Sequence, residues 1–385
     1  MFLSLSFSSF FQMSFVPNPF AGIESPFFWP VGLALSMEKE VLESPEKSRA
    51  FFENIAKNNV VRLPLVWTTP NKIIYVRPAF TLRDFSTSYA KNEIPTLILP
   101  PYAGHASTIA DFQKRQSLIE TLLQKHLTRV FCIEWHAATQ DTKDYDIDNY
   151  LAELHTVVKD LGGRVNLIGL CQSGWIAALY AARYPLHVAA MVCAGTPLDT
   201  LTDCGGVREL ANALPTAFYE NLVAAGNGLL EGRFMLEGFK SMHPDLHMMN
   251  KYISLYEYID DHNFQHRTKA FEHWYKNTIE LPGRWYLQVV QMLFKENRFA
   301  KGDMVAQGQR LKPQMVVCPT YLLAGSADDI APKDQVFNIA NSLGTPKNKI
   351  VKTLASSGHM GLFIGTRVLR EKWPKIAAWL LKQEV

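Results

Sequence analysis

The sequence predicts an α/β fold with a mostly parallel central sheet, helices on both faces, and a helical region inserted late in the sheet. The first observation is an alternation of short, continuously apolar segments with longer helical ones. A strand that is apolar along its whole length must be covered on both faces, as the strands of parallel sheets are. The second observation is that the alternation stops over residues 200–312 and resumes after them. The 385 residues, of which 48% are hydrophobic, suffice for a core of this size.

The predicted elements follow one another in a regular order. The apolar runs predict strands at residues 72–80, 95–100, 129–135, 165–170, 187–195, 314–325 and 349–355. The segments around and between them predict helices at residues 30–58, 108–127, 146–163, 176–185 and 369–383. The helix at 146–163 ends in a pair of glycines, which is typical of a helix C-terminus. Together these elements give the alternation that a covered parallel sheet requires.

Composition excludes several classes of function. Lysine plus arginine is 39 and aspartate plus glutamate 36, with no basic block, so nucleic acid is not an expected partner. The five cysteines lack CxxC spacing, which predicts neither disulfides nor a zinc site and favours a reducing, cytoplasmic location. Residues 1–22 are apolar but broken by serines, and no basic residue precedes Lys39. We therefore expect a disordered or surface-adhering lead-in, or a start at Met13, rather than a secretory signal or a membrane span.

A sharp turn after the strand at 165–170 carries the first candidate catalytic residue. The segment GLCQSG has the strand-to-helix context of the Gly-x-Ser-x-Gly nucleophile turn, with Cys171 in the place of the serine. Gly169 occupies the first glycine position, and Ser173 stands where the second glycine is usual. Ser173 as the nucleophile is the alternative, but that register would put Trp175 in a position that needs glycine. The pattern favours Cys171.

The two partners that a thiol nucleophile needs follow in the expected order. In α/β-hydrolases the acid and then the histidine come in turns after late strands. Asp328 and Asp329 follow the strand at 314–325, and His359 follows the last strand in a turn of small residues. We predict Asp328 as the acid, with Asp329 as the alternative, and His359 as the base. No metal or other cofactor is expected.

The remaining parts of the site are an oxyanion hole and a cap. The hole should use the backbone N–H of Gln172 together with that of Tyr102 or Ala103, in a loop whose His105 we interpret as structural. α/β-hydrolase folds usually carry a lid after their sixth strand, which is where the helical region lies. The predicted division is an extension at residues 1–60, a hydrolase core at 61–199 and 313–385, and a cap at 200–312. The cap should cover Cys171 with apolar side chains, among them Phe234, Phe239, Met248, Tyr252, Tyr256, Trp274, Trp285 and Tyr286.

The motifs resemble one family in particular. GLCQSGW followed by ALYAARYP is similar to the cysteine-containing box of the polyhydroxyalkanoate synthases and intracellular depolymerases, although Ser173 departs from the Gly-x-Cys-x-Gly-Gly of the synthases. WYLQVVQMLF, RFAKGDM, GSADDIAP and SSGHMGLFIGTRVLREKWPKIAAWL resemble the C-terminal region of the depolymerases, and the resemblance runs over residues 90–385.

The resemblance implies an enzyme of polyester metabolism in which Cys171, Asp328 and His359 form the catalytic triad. Hydrolysis of poly(3-hydroxybutyrate) or related oligomers through an acyl-cysteine is the first expectation. The alternatives are a synthase that uses a 3-hydroxyacyl-CoA thioester and a non-catalytic granule-binding protein. Trp175, Trp285 and Tyr286 are predicted to bind substrate. A location at the surface of polymer granules and a homodimer are further possibilities of this interpretation.

Overall fold

A computed structural model of the protein describes residues 65–88, 93–203, 205–242 and 262–383. Its central sheet has eight strands. They are β1 (Lys72–Val76), β2 (Phe80–Asp84), β3 (Thr96–Leu99), β4 (Val130–Trp135), β5 (Val165–Leu170), β6 (Val188–Ala194), β7 (Thr320–Gly325) and β8 (Ile350–Ala355). Their order is β1-β2-β4-β3-β5-β6-β7-β8. Only β2 runs antiparallel to the others within this sheet, because it pairs antiparallel with both β1 and β4. This topology is that of the α/β-hydrolase fold, so the predicted fold class is confirmed.

Thirteen α-helices are described. They are α1 (Leu118–Leu123), α2 (Ile147–Asp160), α3 (Ser173–Arg183), α4 (Gly206–Ala213), α5 (Thr216–Ala225), α6 (Gly232–Met242), α7 (His262–Lys276), α8 (Gly283–Gln288), α9 (Arg298–Lys301), α10 (Lys333–Phe337), α11 (Gly361–Ile364), α12 (Thr366–Glu371) and α13 (Trp373–Leu381). A π-helix, Val289–Lys295, continues α8 directly. Helices α4 to α9 all lie between β6 and β7, where the cap was predicted. None of the described helices is long and apolar enough to cross a membrane.

The sheet separates two apolar layers. Alternate residues of β5 face opposite sides, because successive side chains of a strand do so. Val165 and Leu167 belong to the layer that contains α2, α3 and much of the cap. Ile168 and Leu170 belong to the other layer, with α1 and α13. Every residue of β5 is buried, which explains the continuous apolar run in the sequence and fixes the position of the turn that follows it.

Two predicted elements are wrong. The strand predicted at 72–80 is a hairpin of β1 and β2, because Arg77 and Phe80 close a tight turn around Pro78, which has no N–H to donate to a ladder. The helix predicted at 108–127 begins only at Leu118, where the Ser117 hydroxyl caps it.

The first part of that segment forms a 3-10 turn, Ser107–Ala110, and two short strands, Asp111–Gln113 and Gln116–Ser117. The buried Asp111 accepts hydrogen bonds from the backbone and hydroxyls of Thr68 and Thr69, a contact across more than 40 residues that favours this arrangement over a helix. The helix predicted at 30–58 and the extension at 1–60 lie outside the described residues, and the domain boundaries stay a prediction.

Candidate active site

Cys171 lies at the apex of a strained turn between β5 and α3. Its φ is +52°, a left-handed conformation that is uncommon for any residue with a side chain. The backbone can turn so sharply because two glycines meet behind it. A Cβ on Gly169 would lie 2.3 Å from the Cα of Gly174, and a Cβ on Gly174 would lie 2.0 Å from Oγ1 of Thr196. The geometry is that of a nucleophile elbow.

Ser173 has a different part in this turn. It is buried, and its hydroxyl donates a 2.6 Å hydrogen bond to the carbonyl of Pro100, at the end of β3. That bond ties the start of α3 to the loop after β3. The small residue that the elbow needs behind the nucleophile is therefore Gly174, and Ser173 is tolerated beside it because its hydroxyl has a partner.

Cys171 also differs from the other described cysteines, all of which are free. Cys132, Cys193 and Cys318 are buried, and burial raises the pKa of each thiol, that of Cys318 to about 12. A neutral thiol is a poor nucleophile. Cys171 is half-buried and hydrogen bonded to His359. Among the described cysteines, Cys171 is thus the one that combines a partly exposed side chain with a neighbouring histidine.

His359 and Asp328 complete a chain of hydrogen bonds from Cys171. The Nδ1 atom of His359 lies 2.8 Å from Oδ2 of Asp328, and both side chains are buried. The other oxygen of Asp328 accepts from the backbone N–H groups of Ile330, at 3.1 Å, and Ala331, at 2.9 Å. These bonds fix the carboxylate, which in turn orients the imidazole towards Cys171.

The charges of this group favour a protonated imidazole. Burial by itself lowers the pKa of His359, but the negative charges of Cys171 and Asp328, with hydrogen bonds to both, raise it well above 6.5. The resulting arrangement places a histidine that favours its protonated form between the sulfur of Cys171 and the carboxylate of Asp328.

Asp329, the alternative acid, is exposed and does not occupy the position beside the imidazole. Its backbone carbonyl accepts a 2.9 Å hydrogen bond from the N–H of Gly206, the first residue of α4. Asp329 therefore connects the turn after β7 to the cap through its main chain.

Two of the three predicted oxyanion-hole residues lie at the cavity beside Cys171. Gln172 is the N-cap residue of α3 and Ala103 belongs to the loop after β3, and both line this cavity. Backbone N–H groups in the first turn of a helix have no intrahelical acceptor, so that of Gln172 is suited to hold a negative oxygen. Tyr102 is buried among aromatic rings, and its hydroxyl donates to the carbonyl of His136. Of the two alternatives in the loop, the geometry favours Ala103.

His105 is part of the packing between the core and the cap. Its ring stacks on Trp274 and Tyr275, with centroids 5.0 and 5.3 Å away, and burial lowers its pKa to about 4. A neutral, stacked imidazole at this position agrees with its interpretation as structural.

An apolar cavity of about 100 Å³ lies over Cys171. Its wall on the core side consists of Ala103, Cys171, Gln172, Pro197 and Ile330. The cap supplies the rest of the wall, namely Val207, Leu210, Ala211, Tyr219, Met235, Phe239, Leu281, Trp285, Tyr286, Val289, Val290 and Phe294. The helical region thus covers Cys171 with apolar side chains.

The residues predicted to bind substrate divide into two groups. Trp285 and Tyr286 line the cavity, but Trp175 does not. Trp175 is fully buried on α3 in the same core layer as α2, so its prediction as a substrate-binding residue is corrected. Proximity to the nucleophile in sequence is a poor guide because successive residues of a helix point in different directions.

The other cap residues named from the sequence also divide. Phe239 lines the cavity, whereas Phe234 and Trp274 are buried outside its lining; Met248, Tyr252 and Tyr256 lie outside the described residues. Sequence reasoning missed Tyr219, Met235 and Phe294 as cavity residues. No sequence signal distinguishes them, because an apolar residue on a helix has the same pattern whether it lines a cavity or fills a core.

Comparison with known proteins places the chain in a family. Residues 78–385 match the family described as "Protein of unknown function (DUF3141)". The chain belongs to this family.

The chain also has named relatives. It is 24% identical over 328 residues to the poly(3-hydroxyalkanoate) polymerase subunit PhaC of Haloferax mediterranei, covering 83% of this chain and 65% of that one. It is 23% identical to the PhaC subunit of Allochromatium vinosum, covering 89% of this chain and 96% of that one. The chain therefore spans just under two thirds of the length of the first relative and nearly all of the second. The resemblance to polyhydroxyalkanoate enzymes of the α/β-hydrolase superfamily is confirmed.

A solved structure is also similar to the chain. The monoacylglycerol lipase of Paleococcus ferrophilus is 16% identical, with a TM-score of 0.49 and coverage of 79% of this chain and 99% of that one.

Proposed function

We propose that the protein is an acyltransferase that builds a polyester from 3-hydroxyacyl thioesters through an acyl group on Cys171. The observation that carries the proposal is the hydrogen-bonded chain of Cys171, His359 and Asp328 beneath an apolar cavity. The names of the relatives support this chemistry, because they are polymerases of the same acyl units. Acyl transfer was the second expectation from the sequence, and these names favour it over hydrolysis.

The first half-reaction transfers the acyl group to the cysteine. The Cys171 thiolate attacks the carbonyl carbon of the thioester, and the backbone N–H groups of Gln172 and Ala103 hold the oxygen that becomes negative. The carbon–sulfur bond of the thioester then breaks, and the departing thiolate takes the proton of the His359 imidazolium. The product is an acyl-cysteine next to a neutral imidazole.

The second half-reaction passes the acyl group to a hydroxyl. His359 takes the proton of the chain-end hydroxyl as its oxygen attacks the acyl carbon. Cys171 leaves as a thiolate beside the restored imidazolium, and a new ester bond remains on the chain. The Asp328 carboxylate holds the imidazole in the tautomer that both steps use.

Hydrolysis is the second candidate function, because water can replace the chain-end hydroxyl on the same acyl-cysteine. The C-terminal motifs that resemble the intracellular depolymerases favour it. The apolar walls of the cavity favour transfer instead, since they provide few polar groups that would hold a water molecule near the acyl carbon. The two candidates differ only in the group that accepts the acyl chain.

One experiment tests both candidates. Purified protein is given 3-hydroxybutyryl-CoA, with release of the free thiol, of polymer and of 3-hydroxybutyrate measured, and is separately given amorphous poly(3-hydroxybutyrate). We expect thiol release coupled to polymer formation, and no acid release from the polymer. Acid release from polymer without incorporation would instead establish the hydrolase.

Variants of two cysteines control this experiment. Cys171→Ala should abolish turnover on either substrate and leave the fold intact, because the residue is small and half-buried. Cys193→Ala should keep turnover and lose about 1 kcal/mol of stability, because that thiol packs in the core and makes only a long 3.6 Å hydrogen bond to the carbonyl of Gly174. Near-normal activity of Cys171→Ala would contradict the acyl-cysteine.

A further inference from the structure

Trp285 has an unused hydrogen-bond donor in the wall of the cavity. It lies near the start of α8, lines the cavity with Cys171, and is only 2% exposed. Its indole Nε1 has no hydrogen-bond partner among the described residues. The ring itself is held firmly, with its centroid 4.7 Å from that of Tyr150 and 5.9 Å from that of Tyr102. The donor is thus buried and carried on a fixed ring.

A buried donor without a partner carries a desolvation cost, which an acceptor on a bound substrate would remove. An indole N–H only donates, so the partner that would satisfy it is an acceptor oxygen or nitrogen. The cavity is where such an acceptor can arrive with a substrate. Trp175 gives the useful contrast, because its Nε1 is also buried and unpartnered but its side chain does not line the cavity.

Tyr286 is a second donor in the same wall. It follows Trp285 in α8 and lines the cavity. Burial, together with the nearby Tyr219, raises the pKa of its hydroxyl well above 10, so the group remains protonated at neutral pH. The hydroxyl of Tyr219, by contrast, donates to the carbonyl of Leu210 within the cap. Two adjacent residues of α8 therefore bring donors to an otherwise apolar enclosure.

We infer that Trp285, assisted by Tyr286, recognises the oxygen on the third carbon of the acyl chain. The inference rests on the proposed function. An acyl group on Cys171 has its carbonyl oxygen near Gln172 and Ala103, and the next polar atom of a 3-hydroxyacyl group is the oxygen on C3. That oxygen must enter the apolar cavity and needs a donor there. A hydroxyl, as in the monomer thioester, and an ester oxygen, as in the polymer, both accept from an indole N–H.

The test compares acyl groups with and without this oxygen. Cys171 acylation is measured in single turnover with 3-hydroxybutyryl-CoA, with butyryl-CoA, and with the thioester of a 3-hydroxybutyrate dimer. The unaltered protein should be acylated faster by both oxygenated acyl groups than by the butyryl group. Trp285→Phe keeps a ring but removes the donor, so it should slow acylation by the oxygenated groups about tenfold and leave that by butyryl nearly unchanged. Slowing with the monomer alone would assign the contact to the hydroxyl, and slowing with the dimer thioester alone would assign it to the ester oxygen.

Two further variants control for packing. Trp175→Phe makes the same chemical change outside the cavity, so it should not change the ratio of acylation rates between the oxygenated and butyryl substrates. Thermal melting would reveal whether Trp285→Phe folds poorly. Tyr286→Phe removes only a hydroxyl, so it should lower the ratio of acylation rates between the oxygenated and butyryl substrates even in that case. The inference would be overturned if both α8 variants slowed acylation by the oxygenated and butyryl substrates equally, or if neither variant slowed acylation. Acylation of Cys171 would still support the proposed function in that case. A failure of all three thioesters to acylate Cys171 in the unaltered protein would overturn the proposed function and the inference with it.

Discussion

At the scale of single residues, the two carboxylates after β7 have opposite surroundings. Asp328 is buried, bonded to His359, and fixed by two backbone N–H groups. Asp329 is exposed. We expect Asp328→Asn to slow Cys171 acylation by about 10²- to 10⁴-fold, because an amide holds the wrong imidazole tautomer. Asp329→Asn should change the rate less than about twofold, since this side chain is exposed and does not lie beside the imidazole of His359. Single-turnover kinetics of the pair checks this, and the reverse ranking would move the acid to Asp329.

His359 should keep its proton at a pH where an ordinary histidine has lost it. The charges of Cys171 and Asp328 outweigh burial and raise its pKa well above 6.5. Because the folded pKa exceeds the unfolded one, the stabilisation from this proton is complete below about pH 6.5 and is lost as the pH rises through the folded pKa.

A direct measurement is the nitrogen NMR titration of His359. In the unaltered protein the imidazole should remain protonated well above pH 6.5, and Cys171→Ala should lower its pKa because one negative charge has gone. An unchanged titration in Cys171→Ala would show that the thiolate does not act on this histidine. Cys193→Ala is the control, because that thiol is not among the groups that shift His359.

At the scale of elements, the elbow depends on the contact between the turn and the loop after β6. Gly174→Ala would place a methyl group 2.0 Å from Oγ1 of Thr196, in a segment whose backbone is already fixed. We expect a loss of about 1–3 kcal/mol of stability or more, and slower acylation as Cys171 shifts. Gly238→Ala on α6 is the matched control, since no atom of the described residues lies within 4 Å of its new methyl group. It should stabilise by about 0.5–1 kcal/mol. Denaturant unfolding of the two variants checks this, and equal stabilities would contradict the close packing.

The same scale explains what the sequence could predict. The elbow and the turn with Asp328 each follow a fully buried strand, and the turn with His359 follows the edge strand β8, so local patterns could predict these turns. The short structure before α1 depends on Asp111 contacting Thr68 and Thr69, which no local window contains. The choice of Ala103 over Tyr102 likewise depends on the path of one loop through three dimensions. Local signals predicted the three side chains that the structure brings together, namely those of Cys171, Asp328 and His359, whereas tertiary contacts determine which residues surround them.

At the scale of the whole molecule, the cap is fastened to the core at both of its ends. Before α4, the Asp199 carboxylate accepts hydrogen bonds from Asn297 of the cap, at 2.7 Å, and Asn338 of the core, at 2.6 Å. The hydroxyl of Thr200 donates to the carbonyl of Leu293 in the π-helix. These bonds hold the end of the cap that follows α8 close to the sheet. Opening over Cys171 is therefore expected to involve the cap helices between these anchored ends.

If the protein builds a polyester as proposed, we expect the chain to reach Cys171 between the cap and the core, because cap residues make up most of the described cavity wall. Filling the cavity should then hold the two together. We expect a short 3-hydroxybutyrate oligomer to slow limited proteolysis within residues 200–312, with Cys171→Ala used so that the oligomer is not consumed. Cleavage sites in the hydrolase core serve as the internal control and should not change. Equal cleavage of the cap with and without oligomer, at concentrations that occupy the cavity, would mean that substrate enters without moving the cap. The cavity would then act as a fixed pocket whose size alone selects the acyl chain.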